Sequence, residues 1–152
     1  MKPLFSEIAA LLAFASGLGL AVNAVSPAGI AVTRALPITD LDDRYITAEE
    51  AKARFEGGRS VFVDARTREE FAAGHVEGAV SLPLEGFEAR YAEVAKLLPR
   101  EAELVVYCRG AGCSESRQVA DQLQRLGYER SRIRIFRDGY TAWKQRGWPA
   151  EK

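Results

Sequence analysis

The sequence predicts an α/β fold, a mainly parallel sheet with helices on both faces, preceded by an N-terminal hydrophobic helix. From Tyr45 onward, short apolar runs alternate with stretches of helical period; such alternation builds strand–helix–strand units and a parallel sheet. The run Val61-Phe62-Val63 is apolar throughout, the pattern of a strand buried on both faces. A charge-free stretch over residues 8–32 supplies the leading helix.

Composition narrows the function classes. At 152 residues, 47% hydrophobic and 28% charged, the chain suits one folded domain and excludes disorder. Twenty-one basic residues balance twenty-one acidic ones, so nothing in the overall charge calls for nucleic acid as a partner. The two cysteines are five positions apart, and a bond between them closes a tiny loop and adds little stability. Their C-x4-C spacing is not a usual zinc motif, and His75 is the one histidine that could join a metal site. We expect no metal and no cofactor.

Taken in order, residues 8–22 are apolar all round, which excludes an amphipathic surface helix. Spanning a bilayer takes about 20 residues. The run supplies them before Pro27 and Gly29 break the helix. A cleaved signal peptide with Val22-Asn23-Ala24 at its end and a buried core helix are the alternatives. The expectation is a retained single-pass membrane anchor over 1–32 and a linker over 33–44. Lys2 before the span and Asp40, Asp42 and Asp43 after it favour a domain on the outer, periplasmic side.

The domain is expected over 45–150. Thr47-Ala48-Glu49-Glu50 is a capping box that opens a short helix through Phe55, closed by Gly57-Gly58. A strand at 61–63 leads to Asp64-Ala65-Arg66 and a helix over 68–73, stopped by Gly74. A strand at 79–82, a helix over 87–98, a strand at 104–107, a helix over 116–126, a strand at 133–136 and a helix over 140–146 complete the alternation.

Cys108 ends the strand at 104–107, and Gly110 and Gly112 let the backbone curl before the next helix. In open parallel sheets, sites lie at the carboxyl ends of strands. A loop entering a helix stabilises anions, so a cysteine there is favoured as thiolate. The residues alone leave two readings of Cys108 open, a nucleophile and a small core residue.

Three motifs in order resemble one family. Val63-Asp64-Ala65-Arg66 with Glu70-Phe71 and Gly74-His75-Val76-Glu77-Gly78-Ala79 looks like the first signature of rhodanese domains. The Tyr107-Cys108 strand end is similar to their active-site loop, and Asp138-Gly139-Tyr140-Thr141-Ala142-Trp143 with Gly147 and Pro149 to their closing signature.

The resemblance implies a sulfurtransferase in which Cys108 takes a sulfane sulfur from thiosulfate or a persulfide and passes it to a thiophilic acceptor. Arg109, Gly110, Ala111, Gly112, Cys113 and Ser114 would hold the persulfide through a ring of N–H donors. Arg66 either joins them or pairs with Asp64 to orient the loop. His75 is implied in a structural turn, Trp143 in the core, and Gly139 in a turn of positive φ.

The loop departs from the family pattern, for Ser116 looks like the residue that begins the helix and makes the loop about two positions longer. Glu115 in the first turn suits the helix dipole but repels an anionic donor such as thiosulfate, and Arg109 offsets it. A phosphatase of this type would carry arginine six positions after its cysteine, and Ser114 stands there. The phosphate clamp is thus missing. The remaining rivals are a thiol redox protein using Cys108 and Cys113, and a non-catalytic binding module of the same fold.

Overall fold

A computed structural model describes Ile8, Leu12, Phe14, Ala15 and residues 42–152. The chain divides into two compact units, residues 1–38 and 39–152. The anchor expected over 1–32 falls outside the described residues except at those four positions. Among the described residues no helix is long and apolar enough to cross a membrane.

The larger unit holds a five-stranded, wholly parallel sheet. Its strands are β1 (Tyr45–Ile46), β2 (Ser60–Asp64), β4 (Val80–Ser81), β5 (Glu103–Tyr107) and β6 (Ile133–Phe136), in the order β1-β6-β5-β2-β4. A small antiparallel pair, β3 (His75–Val76) with β7 (Ala150–Glu151), stands apart. The helices are α1 (Ala48–Gly57), α2 (Arg68–Ala73), α3 (Phe87–Val94), α4 (Glu115–Arg125) and α5 (Gly139–Gln145).

Strand alternation assigns the two faces. On β5, Leu104 and Val106 join Val63, Val119, Leu123 and Ile133 in one core, while Val105 and Tyr107 join Phe62, Phe136 and Trp143 in the other. Both faces are buried, as continuous apolar strands require. β5 lies between β2 and β6, the most enclosed position in the sheet.

The helix starts follow local chemistry. Thr47 and Glu50 form the expected capping box, and Thr67 with Glu70 forms a second at the head of α2. Each box satisfies two orphan N–H groups of the first turn. The helix expected over 87–98 is α3 followed by a 3₁₀ turn at Ala95–Leu97.

The linker expected to reach residue 44 is shorter, because Asp42 to Arg44 are tied to the domain. Arg44 is buried and pairs with Asp42 at 2.8 Å and with Asp121 of α4 at 2.7 Å, and Arg130 adds a bond to Asp42 at 2.9 Å.

Candidate active site

Cys108 follows the last residue of β5. Tyr107 stands in register with Asp64 of β2 and Phe136 of β6, so three strand ends flank the start of the loop. Burial first, and then the charge of Asp64, push the Tyr107 phenol far above its usual range. Tyr107 therefore stays neutral, and its oxygen accepts the Val76 amide at 3.1 Å.

The loop runs from Cys108 to Ser114. Glu115, not Ser116, is the first helical residue, so the loop is one position shorter than expected. Ser114 takes the cap position without a side-chain bond to the backbone, its hydroxyl accepting instead from Gln118 Nε2 at 3.1 Å.

The start of α5 clamps this loop. The Tyr140 amide donates to Cys108 O at 2.8 Å and the Thr141 amide to Arg109 O at 2.9 Å. Both are first-turn amides that the helix itself leaves unpaired. Gly139 has φ +59°, and a Cβ there would overlap Cys108 O and lie 2.8 Å from Arg109 C and Gly110 N. The positive φ expected at Gly139 is present, but the closeness of the loop is a second reason for glycine.

Within the loop, the Cys113 amide donates to Gly110 O at 3.1 Å, and Gly112 adopts φ +90°. That reversal returns Cys113 to Cys108. The two sulfurs are joined as a disulfide with Cα atoms 6.3 Å apart, within the roughly 4.4–6.8 Å that disulfides span. Cys108 is buried and Cys113 half-buried. Gly110 packs near Thr141, and Ala111 is exposed.

A cation and two carboxylates surround the sulfurs. Arg109 Nη1 lies 4.0 Å from Cys108 Sγ. The same side chain donates through Nε to Glu70 Oε1 at 2.6 Å and through Nη1 to Glu115 Oε1 at 2.8 Å. Glu115 Oε2 lies 3.0 Å from Cys113 Sγ. A thiol would donate a hydrogen bond at that distance, whereas a disulfide sulfur has no proton and makes only a close contact.

The electrostatics follow from these contacts. The Arg109 guanidinium first, then the Glu115 amide and more weakly the Ser114 amide, hold the Glu115 carboxyl below its usual range. At Glu70, burial acts upward, but Arg109 and the Thr67 amide outweigh it and the net direction is down. The ring of amides expected from Arg109 to Ser114 is thus partly engaged, Cys113 to Gly110 and Ser114 to Glu115.

Arg66 lies outside the loop and is buried. It is 6% exposed, donates to Asp64 at 3.0 Å and to Gly74 O at 2.8 Å, and lies 4.1 Å from the Tyr140 ring centroid. Of the two roles open to it, the buried ion pair with Asp64 is the one its surroundings favour. His75 is stacked on Phe71 at 3.6 Å with Nδ1 2.9 Å from Phe71 O and Nε2 3.4 Å from Glu151. Trp143 is fully buried and donates to Pro149 O at 2.8 Å.

Beside the loop opens a cavity of about 470 Å³ whose lining includes Ala65, Arg68, Pro83, Leu84, Arg109 and Glu115. Its lining mixes both charges, with Leu84 and Pro83 as the apolar part. Among the described residues, Cys108, Cys113 and Glu115 bring their donor atoms within 4.8 Å of one another, and His75 is not in that group. With the sulfurs bonded to each other and Glu115 held by Arg109, this set does not fit a metal ion.

Glu70 is the functional neighbour that sequence reasoning missed. The capping pattern Thr67-Arg68-Glu69-Glu70 was a signal for a helix start, but nothing local points Glu70 at Arg109, 39 positions away.

Comparison with known proteins gives a consistent picture. The family model for the rhodanese-like domain matches residues 47–146. A sulfurtransferase of Allochromatium vinosum is 33% identical over 89 residues, 59% of this chain and 76% of that protein. The HTH-type transcriptional regulator Rv0324 of Mycobacterium tuberculosis is 33% identical over 107 residues, 70% of this chain. The chain spans 44% of that regulator's length. The solution structure of a rhodanese-like domain from an Anabaena protein matches with a TM-score of 0.59 at 26% identity, covering 72% of this chain and 79% of that one.

Proposed function

The chain belongs to the rhodanese-like domain family, and from that premise we propose that it is a sulfurtransferase working through a persulfide on Cys108. The observation that carries this is the position of Cys108, at the carboxyl end of the central strand with Arg109 Nη1 4.0 Å from its sulfur. A nearby guanidinium and a helix start both favour a thiolate, the form that attacks sulfur. Splitting transfer into loading and unloading replaces one difficult step by two easier ones.

The donor we favour is a persulfide rather than thiosulfate. Arg109 is already shared between Glu70 and Glu115, and a dianion entering the cavity meets the carboxylates of Glu69, Glu85 and Glu115 in its lining. A persulfide group carries at most one negative charge where thiosulfate carries two, so it meets less repulsion there. The acceptor is a small or protein thiol, and the apolar run over residues 8–32 tethers the domain to a membrane.

The test is mass measurement of the Cys108 peptide after reduction and exposure to glutathione persulfide. Wild type is expected to gain one sulfur there, and Cys108→Ser to lose transfer by at least about a hundredfold. Transfer retained above a hundredth in Cys108→Ser overturns the assignment.

A second reading, a dithiol redox protein, is favoured by the Cys108–Cys113 disulfide. It requires both sulfurs, so Cys113→Ser would abolish activity as fully as Cys108→Ser. Loading of Cys108 requires only the first.

A further inference from the structure

We propose that Cys113 is a resolving thiol, which discharges the Cys108 persulfide as sulfide and closes the Cys108–Cys113 disulfide. The inference rests on the sulfurtransferase reading of Cys108. It adds a catalytic residue, a product and a partner class, a dithiol reductant that reopens the bond.

The loop is built for this encounter. Gly112 at φ +90° and the Cys113 amide bond to Gly110 O turn the chain back, and the two cysteines reach bonding distance without leaving the loop. Entropic stabilisation by a disulfide is smallest for the shortest loops, and this one spans five positions. A structural staple would gain little here.

The surroundings give the two sulfurs different jobs. Arg109 Nη1, 4.0 Å from Cys108 Sγ, favours a thiolate on Cys108. Glu115 Oε2, 3.0 Å from Cys113 Sγ, disfavours a second anion and accepts the S–H bond of the reduced state. Cys108 therefore attacks the donor first, and Cys113 waits as a thiol.

Each step balances. The Cys108 thiolate takes the outer sulfur of the donor persulfide, forming the Cys108 S–S bond and releasing the donor as thiolate. The Cys113 sulfur then attacks Cys108 Sγ, passing its proton through Glu115 to the departing outer sulfur. The bond between Cys108 Sγ and the outer sulfur breaks, its electron pair leaving with the outer sulfur as HS⁻. The two cysteine sulfurs together lose two electrons, and the sulfane sulfur gains them. An external dithiol then reduces the disulfide and is itself oxidised. Its thiolate attacks Cys113, the half-buried sulfur, and Cys108 departs as the thiolate that Arg109 stabilises. A lower-pKa thiol is the better leaving group.

The experiment uses the full chain, reduced with a dithiol, desalted, loaded with glutathione persulfide and freed of excess donor. Sulfide release, the persulfide on Cys108 and disulfide closure are followed with no acceptor present. Wild type is expected to release its loaded sulfur as sulfide while both thiols disappear. Cys113→Ala and the shape-conserving Cys113→Ser are expected still to gain one sulfur on Cys108 but to release it as sulfide more slowly by about tenfold or more. Equal persulfide lifetimes in wild type and both variants overturn the resolving role while leaving sulfur transfer standing, as does a loaded wild type whose Cys113 stays a free thiol. Failure to load any of the three proteins removes the sulfurtransferase reading and this inference with it.

Discussion

Arg109 shows how one residue acquires its role from residues remote in sequence. Its Nη1 lies 4.0 Å from Cys108 Sγ, while Glu70 holds its Nε and Glu115 its Nη1. Glu115 is the sharper discriminator, because it also approaches Cys113 at 3.0 Å. Replacing it by glutamine keeps the shape and removes one negative charge from the cavity lining. Partly exposed charge pairs are worth up to about 1 kcal/mol, or about fivefold in affinity. Glu115→Gln is therefore expected to lower the KM for thiosulfate by about threefold to fivefold relative to that for glutathione persulfide. An unchanged ratio would mean that Glu115 does not set donor choice. The sequence made Glu115 legible, since an acid in the first turn beside an anion site conflicts with binding an anion. It could not show Glu70 or the Tyr140 and Thr141 clamp, which arise only when distant elements are brought together by the sheet.

At the scale of elements, legibility follows length. The helix at Arg68–Ala73 and the strand at Ile133–Phe136 were readable to the residue, because each is bounded by capping or turn chemistry. Of the described two-residue strands, β1, β3 and β7 left no signal, while β4 was legible as a strand at 79–82 because Pro83 ends it. What secures β1 is electrostatic as well as hydrogen-bonded: Arg44 links Asp42 before the strand to Asp121 on α4, the helix that leaves the active-site loop. The Arg44 guanidinium, chiefly through its hydrogen bonds to the side chain, lowers Asp42 from 3.8 to about 2. The folded value lies below the unfolded one, so this stability is complete above about pH 4 and is lost as pH falls through about 2. At about 1.4 kcal/mol for each unit the shift corresponds to about 2.5 kcal/mol, which solvent screening of the ion pair reduces to about 2 kcal/mol at neutral pH. Asp42→Asn should therefore unfold about 2 kcal/mol more easily in denaturant at pH 7. The gap should shrink toward pH 2 as the wild-type carboxyl protonates. A gap that stays constant over that range would mean that the Asp42 charge is not what joins β1 to α4.

For the whole molecule, alternation of strand and helix was enough to read a parallel sheet with two buried faces, but not the order of its strands, which depends on crossovers no local pattern records. The remaining question at this scale is what the first unit does. Residues 8–32 contain no charge, and about 20 apolar residues suffice to cross a bilayer. The described positions fit that use, for Ile8, Leu12 and Phe14 are helical and expose 47%, 64% and 72% of their surface. With about 3.6 residues per turn, Leu12 and Phe14 point to nearly opposite sides. A helix with large apolar groups exposed on both sides is not amphipathic, and burying one side against a protein surface would leave the other in water. Lipid covers both. The full chain is therefore expected to sediment with membranes and to stay there through an alkaline carbonate wash, while a chain beginning at Leu41 remains in solution and still loads Cys108. The shorter chain keeps Asp42 and Arg44, hence the ion pairs that hold β1. Release of the full chain by carbonate would sink the tether, and recovery of a soluble protein starting near Val25 would show instead that the segment is removed as a signal peptide.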